Sequence, residues 1–279
     1  MKLKKLIVLL VSVLLVLSLA ACGSTTQSSS AQGTHDGDVT KIKVGVTAGP
    51  HEEVLEQVKE ILKDEGIDVE IVTFTDYVQP NIQLSEGALD ANSFQHQPFF
   101  DDFVKERNIT NLTTIGKTMI FPMGIYSNKI KDMKDLPENG TVSVPNDATN
   151  EGRALLLLQS AGVIKLKDDA GLTATPLDIV ENPKNIKIVE IDAAQTVRSL
   201  EDVDAAAINT NYAVEMGFNP VKDSIFIEGP NSPYANVIAV RKEDADKEVF
   251  KKLLEAYHDP RIKEFVDKKY QGSVVMVEE

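Results

Sequence analysis

From Lys41 onward the chain alternates between two hydrophobic periods, and this alternation limits most what it can fold into. Ile42, Val44 and Val46 alternate with Lys43 and Gly45, a two-residue period that predicts a strand. Gly49 and Pro50 break the run. Val54, Leu55, Val58, Ile61 and Leu62 then recur at helical spacing, with Gly66 as a stop. Residues 69–74 predict the next strand, 77–89 a helix with Pro80 near its first turn, 91–94 a short strand and 98–107 another helix. This βαβα order predicts an α/β fold with a largely parallel sheet and helices on both faces. A second block opens with a strand at 141–144 and a leucine-rich helix at 149–160 that ends at Gly162. Further strands are expected at 186–191, 205–208 and 237–240, with a helix at 194–200. Val249, Phe250, Leu253, Leu254 and Tyr257 mark a late helix. Two α/β lobes suit this length better than one long sheet, with a boundary near residues 121–133.

The N-terminus sets the compartment. Lys2, Lys4 and Lys5 precede an almost unbroken apolar run at 6–19, and Leu19-Ala20-Ala21-Cys22 follows. A basic start, an apolar core and small residues at the cut predict a secretory signal peptide over 1–21. The run falls short of the ~20 apolar residues that a spanning helix needs. A cysteine directly after the small pair resembles a lipobox, in which Cys22 becomes the lipidated first residue of the mature protein. Its diacylglyceryl group supplies two acyl chains and would hold the protein stably, because two chains anchor where one binds only marginally; a palmitate modification is expected with it. Residues 22–40 are rich in Ser, Thr, Gln and Gly and predict a flexible tether. The expected location is the extracytoplasmic face of the cell membrane.

Composition removes several classes of function. Cys22 is the one cysteine of the chain, so no internal disulfide, thiol nucleophile or cysteine metal site is expected. The 29 basic residues face 43 acidic ones, a net charge of −14 that loss of the leader lysines deepens, which argues against nucleic acid. No G-x-S-x-G or H-E-x-x-H motif is present, and the acid pairs Asp101-Asp102 and Asp168-Asp169 lie in polar stretches as ordinary surface charges. No enzyme and no cofactor are expected. A metal site needs several ligands, and His35, His51 and His258 lie far from His96 in sequence, so no metal is expected either.

Two segments are unusual: 91–98 (ANSFQHQP) and 144–153 (VPNDATNEGR). Both fall where a predicted strand gives way to a helix, the end at which ligands bind in parallel α/β sheets and at which helix N-termini favour anions. Together with 74–81 (FTDYVQPN), 181–185 (ENPKN), 208–213 (INTNYA) and 232–236 (SPYAN), they make the chain resemble the NlpA/MetQ family of methionine-binding lipoproteins over almost all of the mature body. The resemblance implies a two-lobed periplasmic-binding-protein-like fold, with lobe 1 at 41–122 plus 236–279, lobe 2 at 123–235 and the ligand cleft between them. It also implies capture of L-methionine for an ATP-driven ABC permease and its ATPase subunits. A methionine dipeptide is the alternative ligand, and a surface adhesin that retains the fold is the alternative function.

The resemblance also assigns the site. Arg153 resembles the arginine that clamps the ligand carboxylate, and its planar fork suits two parallel bonds; as bare sequence it is equally a surface residue of the helix. Asn150, Asn209 and Asn236 resemble the polar residues that hold the amino and carboxyl groups, with Asn211 a weaker candidate. Asn150 is also a candidate helix N-cap, and Asn209 a candidate turn residue. Tyr77, Phe94, His96 and Phe121 resemble the walls around the ligand side chain, where a thioether favours aromatic edges. Phe121 stands where the resemblance leads one to expect a tyrosine, which removes a hydroxyl from that wall.

Overall fold

The computed structural model describes residues 39–229 and 232–277. The leader, Cys22 and the tether through residue 38 lie outside the described residues. β1 (Thr40–Thr47) carries the expected alternation and turns Ile42, Val44 and Val46 inward. α1 (Pro50–Lys63) starts with proline in its first turn, where the missing N–H costs no bond. It buries Val54, Leu55, Val58, Ile61 and Leu62 on one face. Each such side chain is worth about 1.5–3 kcal/mol in gross transfer energy, so this stripe fixes which face meets the sheet.

β2 (Ile67–Phe74) pairs with β1 in parallel over eight residues. α2 (Gln79–Ser85) is shorter than the helix expected at 77–89. Asp76 Oδ1 accepts the N–H groups of Val78 and Gln79 and holds 76–78 in a turn, while Gly87 at φ 81° ends the helical path. β3 (Ala91–His96) is wholly buried although most of its side chains are polar. Its polar groups are matched within the core: Asn81 on α2 and Gln95 exchange bonds of 2.6 and 2.7 Å, and Asn92 donates to Asn81 Oδ1 at 2.9 Å. This network fixes α2 on β3, because an unmatched buried amide is costly. α3 (Gln97–Glu106) buries Phe99, Phe100 and Phe103.

β4 (Leu112–Ile120) leads through residues 121–123 into β5 (Gly124–Tyr126). β6 (Thr141–Pro145) and α4 (Ala148–Ser160) follow. β7 (Lys165–Leu166) and β8 (Ile179–Glu181) form a small hairpin, and β9 (Lys187–Ile191) and β10 (Ala205–Ile208) continue. α5 (Thr210–Glu215), α6 (Pro220–Asp223) and β11 (Phe226–Ile227) close this part. β12 (Ala235–Arg241), α7 (Glu248–Tyr257), α8 (Pro260–Tyr270) and β13 (Val275–Met276) complete the chain. The expected helix at 194–200 is instead two 3-10 turns, Ala193–Gln195 and Arg198–Glu201. Asp192 Oδ1 accepts Ala194 N–H and Thr196 Oγ1 donates to the Ala193 carbonyl, so local side-chain bonds displace the α-helical ladder.

Two main sheets result, ordered β13-β4-β12-β3-β1-β2 and β11-β5-β10-β6-β9. Neither is largely parallel, contrary to the βαβα expectation. β1 runs parallel to β2 and β3, but β12 is antiparallel to both β3 and β4, and β13 to β4. In the second sheet β6 is parallel to β9 and β10, and β5 antiparallel to β10 and β11. The reason is the route: the chain leaves the first sheet after β4 and returns as β12 beside the strand it left. Each sheet has its own apolar core, one centred on α1, α7 and α8, the other on α4. No helix among the described residues is long and apolar enough to cross a membrane.

Candidate ligand-binding site

All eight site residues expected from sequence, Tyr77, Phe94, His96, Phe121, Asn150, Arg153, Asn209 and Asn236, line one cavity. Asn211 joins them, with His51, Gln95, Phe99 and Thr210. The cavity holds about 340 Å³ of atom-free space including its mouth. Its walls come from the C-terminal end of β3, from β12, and from the N-terminal turns of α1, α3, α4 and α5. Open α/β sheets place ligands at such strand ends.

Arg153 is 3 % exposed and already holds a carboxylate, that of Glu228. Nε donates to Glu228 Oε1 at 2.7 Å and Nη2 to Oε2 at 2.5 Å. Nη2 also donates to the Phe121 carbonyl at 2.8 Å, and the guanidinium lies 4.3 Å from the Tyr234 ring centroid. Glu228 Oε2 accepts Met123 N–H at 2.9 Å. Arg153 thus joins Phe121, after β4, to Glu228, after β11, and Tyr234, before β12. The fork expected to face a ligand with two parallel bonds spends its Nε–Nη2 edge on Glu228. Nη1, with no bond among the described residues, is the end left for a ligand.

The asparagines divide into fixed and open groups. Asp147 caps α4, accepting the Asn150 backbone N–H at 3.0 Å; Asn150 is therefore the target of the cap and not the cap. The Asn150 amide nitrogen also donates to Asp147, at 2.9 and 3.1 Å. Asn150 Oδ1 receives Asn209 Nδ2 at 2.8 Å and His96 Nε2 at 3.2 Å. Both ends of its amide have protein partners, so Asn150 positions its neighbours. Asn209 opens α5 without capping it, and its Oδ1 is buried with no partner among the described residues. Asn211 Oδ1 receives the Tyr77 hydroxyl at 2.5 Å, which leaves Nδ2 buried and unpartnered.

His96 caps α3: its Nδ1 accepts Phe99 N–H at 3.1 Å, so Nε2 carries the proton given to Asn150. Burial, then the charge of Arg153, push its pKa down to about 3 against the opposing bond to Asn150. His51 lies beside it in the cavity despite the distance in sequence, because β1 and β3 are neighbours. Asn236 Nδ2 donates to His51 Nε2 at 2.8 Å, and His51 Nδ1 donates to Thr47 Oγ1 at 2.8 Å. Burial holds His51 at about 3 as well. Both imidazoles are neutral at pH 7 and committed to protein partners. No group of acids, cysteines and histidines among the described residues is arranged to hold a metal.

Phe121 packs on His51 with ring centroids 4.2 Å apart. Tyr77 touches Phe94 and Phe99, each at 5.9 Å, and Tyr212 at 5.1 Å. The open chemistry is therefore a cationic donor at Arg153 Nη1, an acceptor at Asn209 Oδ1, a donor at Asn211 Nδ2 and an aromatic wall beside them. Sequence reading missed His51, Gln95, Phe99, Thr210, Glu228 and Tyr234. Phe99 carried a signal, the helical Phe99–Phe103 spacing next to His96; Glu228 carried none.

The NlpA lipoprotein family model matches residues 42–277. The D-methionine-binding lipoprotein MetQ of Salmonella typhimurium is 47 % identical over 262 residues, 93 % of either chain. That of Escherichia coli K12 is 48 % identical over 246 residues, 87 % of this chain and 90 % of its own. Among solved structures, a nutrient-binding protein of Burkholderia cenocepacia bound to methionine superposes with a TM-score of 0.82 at 53 % identity, covering 85 % of this chain and all of its own. The methionine-binding protein MetQ gives 0.84 at 47 % identity, covering 87 % and 100 %. The fold is accordingly that of two-lobed substrate-binding proteins with the ligand cleft between the lobes. The chain belongs to the NlpA lipoprotein family, whose members are membrane-associated, extracytoplasmic substrate-binding proteins.

Proposed function

We propose that this protein captures methionine, L-methionine foremost, as the free zwitterion and delivers it to an ABC permease. The observation that carries this reading is the set of buried polar atoms left open in one aromatic-walled cavity. Asn211 Nδ2, a donor for an α-carboxylate, and Asn209 Oδ1, an acceptor for an α-ammonium, are buried without partners among the described residues, and Arg153 adds Nη1, which bonds to none of them. Such atoms are costly to bury unmatched, and a bound zwitterion matches them. Tyr77, Phe94, Phe99 and Phe121 surround the remaining space with polarizable ring edges that suit a thioether. Asn150, His96 and Asn236 position this set.

The two relatives named for D-methionine and the solved relative bound to methionine support the ligand class. The lobes follow the two sheets, 41–122 with 236–279 and 123–235. Residues 1–21 are removed on export, and a lipid on Cys22 tethers the body to the membrane where the permease sits. The test is mass spectrometry of the small molecule released by denaturing the purified protein. Methionine supports the proposal; a methionine dipeptide would replace the ligand, and an unrelated molecule would overturn the reading.

A further inference from the structure

Glu228 carries no role in the reading above, yet its carboxylate is the main partner of the cavity's one arginine. Their side chains are 11 % and 3 % exposed, so water screens neither charge well. Both oxygens of Glu228 face Arg153, and the Met123 N–H holds one of them in place. The other lining groups add no cation, since His51 and His96 are neutral and hydrogen-bonded. Asp147 stands behind Asn150, which takes its bonds. A ligand therefore meets a guanidinium whose charge is already balanced, with neutral amides for everything else.

We infer that Glu228 is a specificity-determining residue of this site: by cancelling the charge of Arg153 it makes the cavity take a ligand of no net charge and turn away a simple carboxylic acid. The inference rests on the amino-acid reading above. A net anion brings its charge into a buried site with nothing left to balance it, which is costly. A zwitterion brings its own balance, carboxylate towards Nη1 and ammonium towards Asn209 Oδ1. Without the charge of Glu228 the guanidinium is no longer cancelled by its partner, and the penalty on the anion shrinks.

The test compares methionine with its 2-hydroxy analogue, which keeps the carboxylate and thioether but replaces the ammonium by a hydroxyl. Dissociation constants are measured for the ligand-stripped wild type, Glu228→Gln and Glu228→Asp, with melting temperature alongside. The wild type is expected to prefer methionine at least a hundredfold. Glu228→Gln should narrow that preference tenfold or more, about 1.4 kcal/mol, while Glu228→Asp weakens both ligands and keeps the preference. A purely structural role would weaken both ligands equally in either variant. A folded Glu228→Gln protein with an unchanged ratio overturns the inference. Should that variant fail to fold, a wild-type preference below tenfold, or a ratio that collapses in Glu228→Asp, overturns it instead. A wild type that binds no methionine would fail the amino-acid reading itself, a separate outcome.

Discussion

Replacing Arg153 by methionine separates what this residue does for folding from what it does for a ligand. The substitution removes the bonds of 2.7 and 2.5 Å to Glu228, the bond to the Phe121 carbonyl and the contact with the Tyr234 ring. Glu228 stays behind, 11 % exposed, with only the Met123 N–H for its carboxylate among the described residues. Breaking a buried pair from one side costs about 3–5 kcal/mol. The residual exposure and the remaining N–H place this case near the lower end, about 3 kcal/mol. At roughly 2–4 °C per kcal/mol for a protein of this size, the melting temperature of ligand-free Arg153→Met should fall by about 6–12 °C. Arg153→Met/Glu228→Leu removes the orphaned charge and should recover most of the stability. Both proteins should nevertheless lose roughly thirtyfold or more in methionine affinity, because losing a charged ligand contact costs about 2–5 kcal/mol, at ~1.4 kcal/mol per tenfold. Circular dichroism melts beside calorimetric titrations decide the matter. A single variant that melts within 2 °C of wild type, by the same ~3 °C per kcal/mol scale, or a double variant no more stable than the single, would refute the reasoning.

Three further outcomes are expected. His51 is neutral when folded, with a pKa near 3 against 6.5 unfolded, so its stabilisation is complete above pH 6.5 and drains as pH falls towards 3; the unfolding free energy of wild type minus that of His51→Gln should drop by about 1.4 kcal/mol between pH 7.5 and 5.5, and a pH-independent difference would contradict the neutral assignment. At Gly152 an added Cβ would meet the Leu172 carbonyl oxygen at 2.3 Å, so Gly152→Ala must displace α4 with Asn150 and Arg153 on it; chemical denaturation should show a loss of about 1–3 kcal/mol together with weaker methionine binding, and an unperturbed variant would count against this packing. Cys22→Ala should abolish membrane partitioning of the exported body in a fractionation experiment, and normal retention would remove the lipid anchor from the account.

How far the sequence reached depended on whether a feature was local. The inward faces of β1 and α1 were legible because Ile42, Val44 and Val46, then Val54 through Leu62, obey one period each. β4 was not, because Thr113, Thr114, Gly116, Lys117 and Thr118 leave no apolar period; its place is set by pairing with β12, more than a hundred residues later. The antiparallel half of the first sheet was hidden for the same reason. The eight site residues were found through resemblance, and their division into open and fixed atoms was not. Asn150 and Asn209 read alike in sequence, yet one amide has partners at both ends and the other leaves Oδ1 without one among the described residues. His51 was set aside for its distance from His96, a distance that the β1–β3 pairing removes. Glu228 follows an edge strand and reads as an ordinary surface acid until the fold brings Arg153 against it.

The central claim is that the open atoms of this cavity match a methionine zwitterion. The most direct measurement is isothermal titration of ligand-stripped protein with L-methionine, D-methionine, glutamate and lysine under one set of conditions. The account predicts a saturable one-to-one heat with methionine, stronger for the L form, and none with glutamate or lysine, whose side-chain charges would be buried without a partner. Tight binding of glutamate or lysine, or no heat from either form of methionine, would contradict it.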